Sequence, residues 1–130
     1  QNADVLVIDG KIAAVGSDIA APEGVSRIDC AGLFLMPGIV DPHSHMAIRG
    51  GVNEFSESAT CDVHIADVID HRDIELQRAL AGGVTTIHTM HGSANVIGGQ
   101  TAVIKLKYDS SPAEMLVTDG PGLVKFALGE

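Results

Sequence analysis

Residues 37–45 have the sequence PGIVDPHSH, which places His43 and His45 one residue apart, directly after a short apolar run. Residues i and i+2 of a strand point to the same face. Two neutral imidazoles on one face can bind a single divalent metal ion, with ring nitrogens at about 2.0–2.1 Å for zinc. The stretch therefore predicts a strand that ends at a metal site. Two histidines that only pack or face solvent are the alternative.

The residues before the histidines predict an α/β fold. Apolar runs at 33–36 and 39–41 flank the turn signal Pro37-Gly38, so we expect each run to form a buried strand. In α/β folds, catalytic residues collect at the C-terminal ends of parallel strands. The histidines follow such a strand end, which favours the metal site over the packing alternative.

A helix and three more strands are predicted downstream. We expect the helix over 71–81, with Asp70 as its N-cap, Asp73 at its third position and a glycine pair at its end. A strand over 84–89 should follow it, in the same way that an outer helix of a βα-barrel connects to the next inner strand. Further barrel strands are expected over 101–107 and 123–128.

The N-terminal segment predicts a small antiparallel sheet. Two apolar runs at 5–8 and 12–15 are separated by Asp9-Gly10-Lys11, which is a strong hairpin signal. Additional strands are expected near 26–29 and over 33–36. This part of the chain should therefore consist of strands without helices.

Three stretches resemble the start of amidohydrolase-superfamily enzymes: the hairpin of 5–16, GLFLMPGIVDPHSH of 32–45 and AGGVTT of 81–86. That superfamily includes imidazolonepropionase, dihydroorotase, hydantoinase, adenine deaminase and prolidase-like metallopeptidases. The resemblance implies part of a β-sandwich over 1–36 and the first three to four βα units of a (β/α)8 TIM-type barrel over 37–130. It also implies metal-activated hydrolysis of a C–N bond in a small-molecule substrate, which would be a cyclic amide, a deaminatable ring or a peptide-like compound.

The resemblance implies a metal site with one or two divalent ions, zinc by default, held first by His43 and His45. Lys125 interrupts the apolar run of the fourth expected strand. A desolvated lysine readily loses its charge, and its neutral amine can take up carbon dioxide as a carbamate. In binuclear relatives such a carboxylated lysine bridges the metals. Glu130 is the rival bridging ligand, and a purely structural Lys125 is a third possibility.

Loops at the expected rim supply candidate substrate contacts. Arg49 lies in a long polar loop after the first strand, where a solvated loop without a role is the alternative. His91 and Asn95 lie in the glycine-containing loop MHGSANVIGGQ of 90–100. We expect His88 to pack and His64 to be structural or at the surface. The family's general-base aspartate would fall outside this chain.

Composition excludes several partner classes. The net charge of −9 and an aromatic content of only 3% argue against nucleic acid as a partner. No apolar run approaches the roughly 20 residues of a membrane span. Cys30 and Cys61 form no metal motif. We favour the cytoplasm, although a removed signal peptide would leave no trace.

The length predicts an incomplete barrel, because 130 residues are about half of the roughly 250 that a (β/α)8 barrel takes. We expect an N-terminal fragment of a longer enzyme, inactive alone. The alternative is a non-catalytic, degenerate barrel module. Its exposed strand edges would pair with another copy or with a complementary half, so oligomers are expected in either case.

Overall fold

The computed structural model describes residues 3–128, and its contacts divide the chain into two units, Gln1–Leu35 and Met36–Glu130. The first unit contains strands β1 (Asp4–Ile8) and β2 (Lys11–Gly16), which pair antiparallel. Asp9 and Gly10 between them have φ values of 50° and 72°. Positive φ at both central residues is what a tight hairpin turn requires. The predicted hairpin is confirmed.

The other strands expected in the N-terminal segment do not form. No strand lies between β2 and Ile39, so the predictions for 26–29 and 33–36 are wrong. Leu33, Phe34 and Leu35 are 71%, 100% and 72% exposed, and the amide of Leu33 bonds to Cys30 O in a turn. An apolar run becomes a strand only where a neighbouring strand completes its hydrogen bonds, and no described strand does so here.

The second unit begins with strand β3 (Ile39–Ser44), and the remaining elements are a 3-10 helix (Ile65–Val68), α1 (Ile74–Ala81), β4 (Val84–Thr89), β5 (Ile97–Gln100), β6 (Ala102–Lys105), α2 (Pro112–Met115) and β7 (Val124–Phe126). One sheet has the order β3-β4-β6, with β3 and β4 parallel. α1 lies in the connection between those two strands, so this part is a βαβ unit. The predicted strands at 39–41 and 84–89 are confirmed. The expected burial of the first strand is wrong, because Ile39 and Val40 are 44% and 61% exposed.

The helix starts three residues later than predicted. Its N-cap is Asp73 and not Asp70 as predicted. The side chain of Asp73 accepts a hydrogen bond from Glu75 N. Asp70 instead accepts from Arg72 N in the turn before the helix. The C-terminal end is as expected, because Gly82 caps the helix and Gly83 has a φ of 89°.

Two strands expected in a parallel barrel have antiparallel partners instead. β6 pairs antiparallel with β4, and β7 pairs antiparallel with β5 in a separate two-stranded sheet. A parallel neighbour needs a crossover connection, usually a helix, and no helix lies between β4 and β6. Within residues 3–128 the architecture is therefore α/β with mixed sheets and one parallel pair, and several successive βα units are not seen.

The core of the second unit lies on one side of the β3-β4-β6 sheet, where apolar side chains from β4 and β6 meet those of α1 and α2. Its buried residues are Ala47, Ile65, Ile69, Leu76, Ile87, Ala102, Ile104, Leu106 and Met115. Among the described residues, we find no helix with the length and apolar character that a membrane crossing needs.

Candidate metal centre

His43 and His45 present their rings on the same side at the C-terminal end of β3. Both are exposed, whereas Ser44 between them is buried. Their Nε2 atoms are 3.3 Å apart, and the ring planes meet at 81°. The i, i+2 prediction for the two side chains thus agrees with their observed placement, and both Nε2 atoms approach one point in solvent.

A main-chain carbonyl fixes the orientation of His45. Its Nδ1 lies 2.9 Å from Met90 O, directly after β4, and Met90 N donates to Ser44 O at 3.0 Å. A carbonyl oxygen only accepts, so Nδ1 carries the hydrogen, and the Nε2 of the neutral ring has a lone pair that faces His43 Nε2 at 3.3 Å. Metal-binding histidines are oriented in this way, with the second ring nitrogen bonded to a carbonyl or carboxylate.

The spacing of the two Nε2 atoms fits a tetrahedral zinc ion. Two nitrogens bound at about 2.0–2.1 Å with tetrahedral angles lie about 3.3–3.4 Å apart, which matches the 3.3 Å separation. Within residues 3–128, no group of three or more His, Cys, Asp or Glu side chains converges on one point. The described residues therefore provide two ligand nitrogens and leave further positions open.

Lys125 lies on β7 and is half-buried. Its Nζ is 3.8 Å from the sulfur of Met90, the residue whose carbonyl holds His45. Both predicted ligand regions therefore contact the same methionine. Carboxylation of Lys125 stays a prediction. The rival ligand Glu130 lies outside the described residues.

His91 is half-buried, and its Nδ1 is buried without a hydrogen-bond partner among the described residues. Burial lowers the pKa of this ring, and nearby His64 lowers it further. Gly99 allows the close approach, because a Cβ there would lie 2.3 Å from the Cε1 of His91. The lowered pKa favours the neutral form of the ring, and the buried Nδ1 is left without a described partner. Contact with a substrate stays a prediction.

The other two predicted substrate residues occupy different surroundings. Asn95 is 1% exposed, and its amide donates to Glu57 O at 2.9 Å and Thr60 Oγ1 at 3.2 Å, so it joins two loops. The Arg49 side chain is 64% exposed and lies 3.9 Å from a carboxylate oxygen of Asp70. Neither is brought to His43 and His45 by a described hydrogen bond, and their substrate contacts stay predictions.

Met90 contacts His45 through its main-chain carbonyl, so its residue type carries no signal of this role and the sequence did not predict it. Its position could have indicated this contact, because Met90 directly follows β4, the strand that pairs in parallel with β3. His64, expected to be structural, accepts from Ala66 N and caps the 3-10 helix.

The fold and the histidine pair define an α/β protein with two candidate metal ligands at a strand end. No protein-family model matches the chain. It is 32% identical over 120 residues to a dihydroorotase of Citrifermentans bemidjiense, covering 92% of this chain and 24% of the relative. It is 34% identical over 88 residues to an L-hydantoinase of Paenarthrobacter aurescens, covering 68% and 16%.

A solved structure is also similar to this chain. The chain matches the crystal structure of an amidohydrolase from Thermotoga maritima with a TM-score of 0.85 and 40% identity, over 97% of this chain and 34% of that one. The chain belongs to the amidohydrolase superfamily. It spans about a quarter of the length of the dihydroorotase that it matches.

Proposed function

We propose that this chain forms part of a metal-dependent amidohydrolase that opens the C–N bond of a cyclic amide. The observation that carries the proposal is the 3.3 Å approach of two Nε2 atoms at the end of β3. Relatives named dihydroorotase and L-hydantoinase support a ring amide over the wider set of C–N substrates. The similarity to a solved amidohydrolase supports a complete TIM-type barrel in the functional enzyme.

His43 and His45 would hold the metal, with zinc as the default because imidazole nitrogens suit it. A bound divalent ion would activate water at neutral pH and polarise the amide carbonyl. The chain's own contribution is orientation. Met90 O fixes the tautomer of His45, and the buried Ser44 anchors the strand end between the two rings.

Lys125 is the proposed bridging group, as a carbamate formed when its neutral amine attacks carbon dioxide and the nitrogen then releases a proton to water. Among the described residues, no carboxylate lies within 4.0 Å of its Nζ to hold the charge. Glu130 remains the alternative ligand in this proposal.

The free Nδ1 of His91 is the proposed substrate acceptor. A ring amide carries N–H donors, and a buried acceptor without a partner gains a hydrogen bond when such a donor arrives. Arg49 and Asn95 complete the proposed substrate set. Arg49 is accessible, and Asn95 would act by holding the loop next to His91 in place.

Elemental analysis of the purified chain tests the metal proposal. We expect near-stoichiometric zinc or another divalent metal in the natural chain and its loss in the His43→Ala/His45→Ala double variant. His71→Ala is the matched control, because His71 makes no described hydrogen bond. Metal retained by the double variant, or absent from all three proteins, would contradict the proposal.

Hydantoin titration followed by NMR tests the substrate class. The metal-loaded chain should show shifts of the His91 ring resonances, and His91→Phe should remove the binding while it retains the metal. Hydantoin binding that is unchanged in His91→Phe would contradict the role of that ring.

Association through a strand edge is a second candidate function. β3 lies at the edge of its sheet, and its residues Ile39 and Val40 are 44% and 61% exposed. Exposed apolar edges invite pairing with another strand. Size-exclusion chromatography should show concentration-dependent dimers that Val40→Lys disrupts. A monomer at all concentrations would refute this candidate.

A further inference from the structure

The end of β3 carries a bulge at the position where its metal-binding residues begin. Asp41 pairs with Ile87 and Ser44 pairs with Thr89, so three steps on β3 oppose two on β4. An extra residue in one strand leaves ladder groups unpaired and redirects the side chains beside it. Pro42 lies inside this irregular segment and has no N–H to give. Its carbonyl has a side-chain partner from β4.

His88 supplies that partner. Its Nδ1 lies 3.2 Å from Pro42 O, and its Nε2 lies 2.6 Å from Thr101 Oγ1. Because a carbonyl only accepts, Nδ1 carries the hydrogen. The Nε2 of the neutral ring is then the acceptor for the hydroxyl of Thr101. Each ring nitrogen thus has one defined role, which fixes the plane of the ring.

Thr101 continues the connection towards β7. It is 8% exposed, and its N–H donates to Leu123 O at 2.9 Å. Leu123 directly precedes β7, which carries Lys125. The chain of contacts from Pro42 through His88 and Thr101 to Leu123 therefore joins the two strand ends that carry proposed ligands.

We propose that His88 is a positioning residue for the metal site, which holds the β3 bulge so that His43 and His45 converge, with Thr101 fixing its ring. The inference rests on the proposed function for its metal readout. His88 does not contact the metal or substrate. It acts through Pro42, whose carbonyl precedes His43, and through Thr101, whose partner precedes β7.

Zinc affinity is the first test, measured by competition with a chromophoric chelator at constant pH. Replacement of a group that orients metal ligands typically weakens binding about 10–100-fold, so we expect at least a tenfold loss in His88→Phe. His88→Asn should restore most of the affinity, because its amide N–H can take the place of Nδ1–H. Thr101→Val should weaken binding, whereas Thr101→Ser should not.

Two outcomes of the zinc titration would overturn the positioning role. The first is an unchanged affinity in a folded His88→Phe protein, and the second is equal losses in His88→Phe and His88→Asn. His71→Phe is the control for removal of a histidine as such. If His88→Phe does not fold, the zinc affinities of Thr101→Val and Thr101→Ser decide. Equal affinities of these two variants would overturn the positioning role.

A second readout is independent of metal and separates this inference from the proposed function. The amide of His43 donates to Asp41 Oδ1 at 3.1 Å within the irregular segment. Its hydrogen exchange, measured by NMR without metal, should accelerate at least fivefold in His88→Phe and stay unchanged in His71→Phe. If the natural chain binds no zinc but this acceleration is seen, the metal proposal fails and the positioning of β3 stands. Unchanged exchange refutes the positioning.

Discussion

Asp73 joins the start of α1 to the loop after the histidine pair through one carboxylate. Its Oδ1 accepts from Glu75 N at 3.0 Å and its Oδ2 accepts from Ala47 N at 2.8 Å. Ala47 is fully buried and lies two residues after His45. We predict that Asp73→Ala strongly lowers the free energy of unfolding, because it removes a helix cap and leaves a buried N–H without a partner.

The magnitude follows from the two bonds. Loss of an N-cap costs about 1 kcal/mol, and an unsatisfied buried donor costs about 1–3 kcal/mol. Asp73→Ala should therefore lower the free energy of unfolding by about 2–4 kcal/mol. With a urea m-value of about 2 kcal/mol/M, the unfolding midpoint should fall by about 1–2 M.

Urea titration followed by circular dichroism measures this effect, and Asp70→Ala is the matched control. Asp70 also accepts a backbone hydrogen bond, from Arg72 N at 3.1 Å, but its ion pairs with Arg49 and Arg72 are long and exposed. We expect its loss to cost less than about 1 kcal/mol. A smaller effect for Asp73→Ala than for Asp70→Ala would refute the assignment of the cap.

Three further predictions concern the same unit. Gly99→Ala should lower the free energy of unfolding by about 1–3 kcal/mol, measured in urea, because its Cβ would meet the His91 ring at 2.3 Å and Val63 O at 2.5 Å. Burial lowers the pKa of His91 in the folded chain, so the unfolded chain binds a proton at a higher pH than the folded chain does. The free energy of unfolding should therefore fall as pH decreases below about 6.5. Urea titrations at successive pH values should show a smaller pH dependence of the free energy of unfolding in His91→Gln than in the natural chain. Thr89→Val should cost about 1–2 kcal/mol by thermal unfolding, because the buried hydroxyl donates to Met46 O at 2.9 Å, and Thr89→Ser should cost less.

Local patterns predicted the elements that need only neighbouring residues. The hairpin follows from Asp9-Gly10, whose residues tolerate positive φ, and the end of α1 follows from Gly82-Gly83. Asp70 and Asp73 are both plausible caps in sequence. The choice depends on Ala47 N, a donor 26 residues away that binds Asp73. Sequence periodicity does not contain that contact.

Strand direction was not predictable from periodicity either. Residues 102–105 have the same apolar pattern whether the strand runs parallel or antiparallel to β4. A signal for the antiparallel direction of β6 was present, because residues 90–101 contain no helical pattern that could form a crossover connection. The resemblance to a parallel barrel predicted the opposite direction. The expectation of a strand over 33–36 failed for another reason, because apolar character alone does not supply a hydrogen-bonding neighbour.

The candidate site was predictable where it depends on spacing along one strand. His43 and His45 share a face because they are two residues apart, and the observed nitrogen spacing agrees with that prediction. The groups that orient the pair, Met90 O for His45 and His88 for the bulge, come from β4 and its end. Such contacts arise from the pairing of β3 with β4 and have no motif.

X-ray absorption at the zinc edge of the zinc-loaded chain tests the central claim most directly. The account predicts two imidazole nitrogens at about 2.0–2.1 Å in the natural chain and their loss in the His43→Ala/His45→Ala variant. A zinc shell that contains no imidazole, or one that is the same in both proteins, would contradict it.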